Sequence, residues 1–383
     1  MRGRRLWFVG IGGAGLSAYA QLARAQGAEV GGWDRVRTPY LDALGDVPVE
    51  ITPEPVVPEG WEVVVSSAYP QVPGLRRAEF LRELVSGRAG IVVAGTHGKG
   101  TTAGMIAYVL HETGRDPAWL IGAPVPQLGS NAGCGKGILV VEGDESDRTV
   151  FALPATIAVV TNVELDHHTE YGSLGDLERA FERWLATAGT VVRDAPPYDG
   201  ALALPGELNR LNAGSALAAL AAAGVGRDEA APALARFTGT GRRFEVHELG
   251  DRTLVDDYGH HPTEVARTLA AVRERYPGRT VRVLFQPHLY SRTRHLAGEL
   301  AAALSAADDV TVTDIYPARE RPIPGVTGKL VVDALSDRGV LAGWTPTVEA
   351  AVERVWRRSR PGDVLLVVGA GDIDRAVGML RSR

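Results

Sequence analysis

Short runs of apolar, mostly β-branched residues alternate along the chain with longer amphipathic stretches that are rich in alanine, leucine and arginine. This alternation is typical of parallel sheets covered by helices, and it predicts an α/β fold throughout the chain. The runs predicted to be strands are 6–9, 30–33, 91–94, 138–141, 157–160, 253–256, 280–285, 310–313 and 364–368.

The predicted strands group into three modules, each opened by one of them. The sequence predicts a Rossmann-like N-terminal domain over residues 1–88 and a central phosphate-loop ATPase domain, with a mainly parallel sheet, over 89–240. A Rossmann-like C-terminal domain is predicted over 241–383. The joints are placed in segments rich in glycine and small polar residues, near 86–90 and 238–241.

Composition excludes several classes of protein. The 383 residues carry a net charge of −5, a poor balance for a protein that binds the phosphates of nucleic acid. The single cysteine, Cys134, excludes an intrachain disulfide and fits a reducing compartment. Because the longest apolar stretches fall well short of the ~20 residues that cross a bilayer, we predict a cytoplasmic protein with no nucleic-acid or membrane partner.

A glycine-rich loop follows the first predicted strand. Its pattern, G-x-G-x-x-G, is formed by Gly10, Gly12 and Gly15, with a further glycine at Gly13, and an acidic residue, Asp34, ends the second strand 19 positions after Gly15. Such glycines let a diphosphate approach the backbone N–H groups at a helix N-terminus. The loop predicts a dinucleotide or nucleotide-diphosphate site, although the motif does not distinguish NAD from a UDP-sugar, nor exclude a turn without a ligand.

A second glycine-rich loop follows the strand at 91–94 and has the sequence Gly95-Thr96-His97-Gly98-Lys99-Gly100-Thr101-Thr102. Backbone N–H groups of such a loop hold phosphates, and the lysine neutralises their charge. The loop predicts an ATP site, and its lysine is one of only three in the chain. Because glycine follows Lys99, Thr101 or Thr102 must supply the hydroxyl that ligates Mg²⁺.

Acidic and imidazole side chains follow two further strands of the central module. Glu145 comes shortly after the strand at 138–141, and His167 comes shortly after the strand at 157–160. The carboxyl ends of parallel strands meet at the ligand-binding edge of a sheet. Carboxylates beside a triphosphate would repel it unless a cation lay between them. We therefore predict that Glu145, His167 and Thr101 hold Mg²⁺.

Polar residues gather in the same way at strand ends in the third module. Arg292 and Arg294 are placed to bind a carboxylate or phosphate bidentately. The adjacent His260 and His261 lack cysteine or acidic partners at zinc spacing, so zinc is not predicted there.

Taken together and in order, these motifs resemble those of the Mur ligases, the ATP-dependent ligases of peptidoglycan synthesis. The resemblance covers nearly the whole chain and is carried by 10–15 with Ser17, 66–68, 95–102, 142–147, 161–167, 205–206 with Asn209 and Asn212, 242–245, 256–264, 286–293 and 369–373.

The resemblance implies that the three domains bind, in turn, a UDP-sugar, ATP and an amino acid. Within the family it favours the member that adds the first residue, with UDP-N-acetylmuramate and L-alanine as substrates and an acyl phosphate as intermediate. We expect a monomer or weak dimer. Related ligases that add later residues carry a carbamylated lysine, and no lysine occurs here between positions 137 and 328.

Roles for individual residues follow from the same resemblance. Mg·ATP is expected on Lys99, Thr101, Glu145 and His167. The UDP-sugar is expected on the first glycine loop with Ser17, Asp34, Ser66 and Ser67. The nucleotide and domain interface are expected to involve Asn209, Asn212, Arg243 and Asp257. The amino acid is expected near Tyr258, His260 and Arg292, with His260 a candidate base for its amine.

The sequence also departs from the family pattern. Gly100, Leu208 and Leu289 stand where threonine, histidine and arginine are usual, and the stretch 184–204 is short by several dozen residues. Two alternatives stay open: a murein tripeptide recycling ligase that uses the same sugar nucleotide, and a non-catalytic nucleotide-binding paralogue. An NAD dehydrogenase would explain the first glycine loop but neither Lys99 nor Glu145.

Overall fold

The computed structural model describes residues 1–166, 170–318 and 320–383. The chain divides into two compact units: residues 1–203 with 211–240, and residues 204–210 with 241–383. Two sheets lie in the first unit and one in the second. The α/β fold predicted from the sequence is confirmed, whereas the division into three domains at 88 and 240 stays a prediction.

The first sheet is entirely parallel, with the strand order β3-β2-β1-β4-β5. Its strands are β1 (Arg5–Val9), β2 (Glu29–Asp34), β3 (Val49–Ile51), β4 (Glu62–Val65) and β5 (Leu75–Arg76). Helices α1 (Ala14–Ala25) and α2 (Arg77–Ser86) belong to this part of the chain. The apolar positions of β1 are buried, as expected for a central strand of a parallel sheet that is covered on both faces.

The second sheet has the order β11-β10-β6-β9-β7-β8 and is parallel except for the β7–β8 hairpin. Its strands are β6 (Gly90–Ala94), β7 (Ala118–Val125), β8 (Ser130–Cys134), β9 (Leu139–Glu142), β10 (Ile157–Val160) and β11 (Thr190–Val192). Its helices are α3 (Lys99–Glu112), α4 (Leu174–Leu185), α5 (Glu207–Ala222) and α6 (Arg227–Arg236). The central strand β6 is buried along its whole length, as expected for a parallel strand covered on both faces.

The first two sheets share one continuous apolar core. Helix α1 packs against β7 and β8 of the second sheet, and residues of both sheets belong to the same buried cluster. The amide of Asn131 in β8 donates a hydrogen bond to the carbonyl of Ala14 at 2.9 Å. The two glycine-rich loops therefore lie in one packed unit.

The third sheet has the order β12-β13-β17-β14-β15-β16 and is parallel except for the β12–β13 hairpin. Its strands are β12 (Glu245–Leu249), β13 (Arg252–Asp257), β14 (Val281–Phe285), β15 (Asp309–Val312), β16 (Ala342–Trp344) and β17 (Val364–Val368). Its helices are α7 (Pro262–Arg275), α8 (Tyr290–Leu304), α9 (Lys329–Ser336), α10 (Val348–Arg358) and α11 (Arg375–Arg381). Separate apolar clusters cover its two faces.

Every strand predicted from an apolar run is present, with each end within one residue of its predicted position. The β7–β8 hairpin and the strands β3, β4, β5, β11, β12 and β16 were not among the predictions. Among the helices in the described ranges, none combines the length and apolar character needed to cross a membrane.

Candidate active site

The loop between β6 and α3 depends on two glycines for its shape. Gly95 and Gly98 adopt φ of +124° and +80°, in the region that side chains disfavour. A Cβ at Gly95 would collide with the hydroxyl of Thr161, and a Cβ at Gly98 would collide with the amide oxygen of Asn212. Helix α3 begins at Lys99, so the loop leads directly into a helix N-terminus, whose free N–H groups favour an anion.

The segment after β10 holds this loop in place. Asn162 accepts hydrogen bonds from the backbone N–H groups of Thr96 (to its carbonyl, 3.0 Å) and His97 (to its side-chain oxygen, 2.9 Å). The Thr161 hydroxyl donates to the carbonyl of His97 at 2.6 Å. The Thr96 hydroxyl is bonded to both backbone groups of Glu164. Sequence reasoning missed Asn162 as a positioning residue, although it lies in a segment that carried the family resemblance.

Lys99 and Glu145 form a buried ion pair at the centre of the site. The ammonium lies 3.1 and 3.0 Å from the two carboxylate oxygens of Glu145, which is only 1% exposed. Burial alone would lower the pKa of Lys99, but attraction by Glu145, Asp144 and Glu142 raises it overall. Lys99 therefore stays charged, and it faces more negative charge than it can neutralise.

The donor set beside Lys99 fits Mg²⁺. Thr101 and Thr102 lie buried in the first turn of α3, and the Thr102 hydroxyl makes no hydrogen bond within the described ranges. Hydroxyl and carboxylate oxygens are the ligands that Mg²⁺ prefers. A divalent cation would also balance the surplus negative charge of Glu145 and its acidic neighbours. His167, the third predicted ligand, lies outside the described residues.

Gly100, which stands where the family usually has threonine, lies in the first turn of α3. A Cβ there would lie 3.2 Å from a carboxylate oxygen of Glu142, the flexible end of a side chain. Glu142 in turn accepts a hydrogen bond from the N–H of Gly122 at 2.6 Å. A small side chain at position 100 therefore requires only a slight adjustment, in contrast to Gly98.

The predicted UDP-sugar residues of the first glycine loop gather at the carboxyl end of the first sheet. The N–H of Gly12 donates to Asp34 at 2.7 Å, and a Cβ at Gly12 would lie 2.8 Å from the same oxygen. The second oxygen of Asp34 accepts from the N–H of Arg35 at 2.7 Å. Asp34 thus fixes the loop through hydrogen bonds to the backbone, a contribution that the motif alone did not predict.

The serines predicted to bind the same ligand lie beside this loop in different environments. Ser17 is fully buried in α1 and donates to the carbonyl of Ala14 at 3.1 Å. Ser66 follows β4, and a Cβ on Gly10 would lie 2.8 Å from its Cβ. Ser67 is exposed. Their role in ligand binding stays a prediction.

The two asparagines predicted near the nucleotide differ in their surroundings. Asn212 in α5 is buried against Gly98, and its amide nitrogen makes no hydrogen bond in the described part of the chain. Asn209 belongs to the second compact unit, where its amide donates to the carbonyl of Pro205 at 2.7 Å. Asn212 therefore has a donor available beside the phosphate loop.

A second polar cluster follows β13 in the second unit. Both oxygens of Asp257 accept backbone hydrogen bonds, from Phe244 at 2.9 Å and Gly259 at 2.8 Å, while burial raises the pKa of Asp257. Glu264 lies 3.6 Å from Arg243 and accepts a hydrogen bond from the N–H of His260 at 3.0 Å. The predicted residues Arg243, Asp257 and His260 therefore lie in one network.

The residues predicted near the amino acid are linked through His288. The His260 and His288 rings lie 5.4 Å apart, and Tyr258 meets His260 edge-to-face at 5.7 Å. Arg292 is 2% exposed, and its guanidinium lies 3.0 Å from Nδ1 of His288. Sequence reasoning missed His288, which lies in the segment 286–293. Leu289, at the start of α8, adopts a φ of +70° that a leucine rarely takes.

Asp256 makes the stability of the second unit depend on pH. Burial raises the pKa of Asp256 to about 6 from its ordinary 3.8, although Arg242 opposes the shift. The stabilising contribution of its protonated form is therefore complete below about pH 3.8 and is lost as the pH rises through about 6. Asparagine does not titrate, so we expect the melting temperature of Asp256→Asn, relative to the parent, to rise between about pH 4 and pH 7. The corresponding change in the free energy of unfolding should be at most about 3 kcal/mol.

The matched control for this measurement is Asp251→Asn, which removes a carboxylate from an exposed position in the same hairpin. Its melting temperature relative to the parent should stay nearly constant over the same pH range. A pH-independent difference for Asp256→Asn would contradict the prediction.

A strand, a glycine loop with a lysine at the start of a helix, and an acidic loop on the neighbouring strand together define a phosphate-loop nucleotide-binding α/β protein. Residues 242–371 match the family described as Mur ligase, glutamate ligase domain. The chain is 37% identical to the UDP-N-acetylmuramate–L-alanine ligase of Renibacterium salmoninarum, over 97% of this chain and 94% of the relative. It is 36% identical to the enzyme of the same name from Streptomyces coelicolor, over 96% and 94% of the two chains.

Among solved structures, the UDP-N-acetylmuramate-alanine ligase MurC of Thermotoga maritima superposes with a TM-score of 0.82 at 26% identity, covering 99% of this chain and 98% of that one. A murein peptide ligase from Psychrobacter arcticus shares the fold, with a TM-score of 0.66 at 22% identity over 100% and 99% of the two chains. The chain belongs to the Mur ligase family, in the group of the UDP-N-acetylmuramate–L-alanine ligases.

The comparison also bears on chain length. The alignment with the Renibacterium relative is 441 positions long. This chain contributes 97% of its 383 residues to it, which is about 371, so about 70 aligned positions of the relative have no counterpart here. The sequence places the shortening at 184–204. In the structure that stretch contains the end of α4 and the strand β11. Because β11 is an edge strand of the second sheet, its residue Val191 is 42% exposed.

Proposed function

We propose that this protein is an ATP-dependent ligase that joins L-alanine to the carboxyl group of UDP-N-acetylmuramate, in the synthesis of peptidoglycan precursors. The near-full-length similarity to ligases of that name supports the substrates. The observation that carries the chemistry is the buried Lys99–Glu145 pair at the start of α3, because it places a fixed ammonium where a phosphate loop holds its nucleotide.

The reaction has two steps. The sugar carboxylate attacks the γ-phosphorus of ATP, ADP leaves, and an acyl phosphate forms. The amine of L-alanine then attacks the acyl carbon, a tetrahedral intermediate forms, and its collapse expels inorganic phosphate as the amine proton is lost. Negative charge develops on oxygen in both steps, so catalysis rests largely on positioning and on fixed positive charge.

The phosphate-loop residues act in the first step, the transfer of the γ-phosphoryl group. The N–H groups of residues 95–102 bind the phosphates, and Lys99 neutralises the β- and γ-phosphate oxygens. Thr101 and Glu145 would hold Mg²⁺, which neutralises phosphate charge when bound. Asn212 donates its buried amide beside the same loop.

The second unit supplies the residues for the incoming amino acid. Arg292 binds its carboxylate through a guanidinium held by His288. His260, fixed by Glu264, accepts the amine proton, and Tyr258 packs against its ring. Arg243 and Asp257 maintain this network.

The test is phosphate release from Mg·ATP with UDP-N-acetylmuramate, measured with L-alanine, with the tripeptide L-Ala-D-Glu-diaminopimelate, and with neither. Release that requires L-alanine, with the amide product confirmed by mass, is the expected result. Release with the tripeptide alone would make the protein a recycling ligase. No release with either, from a folded protein that binds ATP, would contradict the proposal and favour a non-catalytic paralogue.

A further inference from the structure

Arg77, the first residue of α2, reaches from the first sheet toward the acidic loop of the second. Its Nε donates a hydrogen bond to the hydroxyl of Tyr19 in α1 at 3.2 Å. One terminal nitrogen lies 3.6 Å from Asp147, beyond hydrogen-bond distance. Asp147 and the catalytic Glu145 belong to the same loop after β9. Arg77 therefore lies between the two glycine-rich sites of the first unit.

The guanidinium of Arg77 lies against the first turn of α1. A Cβ on Gly15 would lie 3.5 Å from Nε and 3.6 Å from Cζ and Nη2 of Arg77. These are ordinary van der Waals distances, so the charged group lies directly against the N-terminal turn of the helix. The N-cap, Gly13, offers no capping side chain, and the first turn contains no acidic residue.

The helix N-terminus opposes this placement, whereas the acidic groups near Arg77 favour it. A helix N-terminus carries a partial positive charge, so a guanidinium beside it is repelled. Tyr19 and Asp147 raise the pKa of Arg77 in spite of its burial, so the group stays charged. Asp147 does not hydrogen-bond the guanidinium, because its Oδ2 lies 3.6 Å from Arg77, while its other oxygen, Oδ1, accepts a hydrogen bond from the N–H of Thr149 at 3.0 Å.

We infer that Arg77 is a binding residue for the diphosphate of the sugar nucleotide, and that Asp147 competes with this ligand for its guanidinium. The inference rests on the proposed function, which places a UDP-sugar at the first glycine loop. A diphosphate at the N-terminus of α1 brings two or three negative charges to the group. The guanidinium of arginine offers a planar set of N–H donors that fits two phosphate oxygens, whereas a lysine ammonium acts as a point charge.

The experiment is titration calorimetry of the full chain with UDP, with UDP-N-acetylmuramate and, separately, with Mg·ADP. Arg77→Met keeps the length of the side chain and removes its charge. We expect it to weaken binding of both uridine ligands at least tenfold while the affinity for Mg·ADP changes less than twofold. The matched control is Arg82→Met, which removes the same charge from an exposed position of α2 and should leave all three affinities within twofold.

A second variant tests the competition without disturbing Arg77. Asp147→Asn should tighten UDP binding at least twofold, because the guanidinium is no longer shared. Parental affinity for UDP in Arg77→Met with intact Mg·ADP binding, or weaker UDP binding in Asp147→Asn, would overturn the inference. A parent that binds Mg·ADP but neither uridine ligand would instead refute the proposed function, and the inference with it.

Discussion

Lys99→Ala is expected to lower ATP-dependent phosphate release by at least about 10³-fold. The ammonium is the fixed positive charge at the start of α3, and removal of one preorganised electrostatic contact of this kind typically costs about 10²–10³-fold in turnover. We expect the upper end of this range or more, because removing the ammonium also leaves Glu145, Asp144 and Glu142 without its compensating charge, where they would repel the phosphates. Binding of UDP-N-acetylmuramate, measured by calorimetry, should change little, since that ligand is assigned to the first glycine loop.

The control must separate lost chemistry from lost stability. Removing Lys99 leaves Glu145 buried beside no ammonium, and breaking such a pair typically costs about 3–5 kcal/mol. The double variant Lys99→Ala with Glu145→Gln should recover most of the melting temperature but none of the activity. Lys99→Arg should stay folded and still lose most activity, because a guanidinium is broader than an ammonium. Substantial turnover in Lys99→Ala would contradict the assigned role.

Gly98→Ala and Gly100→Ala are expected to have opposite outcomes, although the two glycines are only two positions apart. At Gly98, alanine would meet both a φ of +80° and the amide oxygen of Asn212. We expect the affinity for ADP and the rate of phosphate release to fall at least about 100-fold, because the loop can no longer present its N–H groups to phosphate.

At Gly100, alanine lies inside α3 and meets only the flexible carboxylate of Glu142 at 3.2 Å. Helix propensity then favours alanine by up to about 1 kcal/mol, so the melting temperature should stay level or rise. ADP affinity should stay within about threefold of the parent value. If Gly98→Ala binds ADP like the parent, or Gly100→Ala loses binding, the loop geometry does not determine nucleotide binding.

Much of the fold follows from local pattern. The strands β6, β10 and β17 are short β-branched runs that are buried on both faces, so their composition alone marks them. The glycine loops are marked equally well, because a positive φ at Gly10 or Gly98 restricts the residue type. The β7–β8 hairpin contains glycine, proline and polar residues, and its pairing is decided by the sheet around it.

Contacts between distant segments account for what the sequence did not predict. Asn162 holds a loop 65 positions earlier in the chain, and Tyr171 donates a hydrogen bond to the carbonyl of Glu145. Nothing in the local sequence distinguishes either residue from an ordinary polar loop residue. The proximity of Arg77 to Gly15 likewise arises only when α2 folds beside α1, so its charge appeared in the sequence as one arginine among many.

The common core of the first two sheets limits how this protein can be dissected. A fragment that ended at residue 88 would lose β7 and β8, and with them the hydrogen bond from Asn131 to Ala14, and the side of α1 that packs against these strands would be left in water. Such a fragment should misfold or aggregate when produced alone. Recombinant pieces for ligand screening or crystallisation therefore need residues 1–203 together with 211–240, and inhibitors aimed at the first glycine loop are best screened against the intact chain.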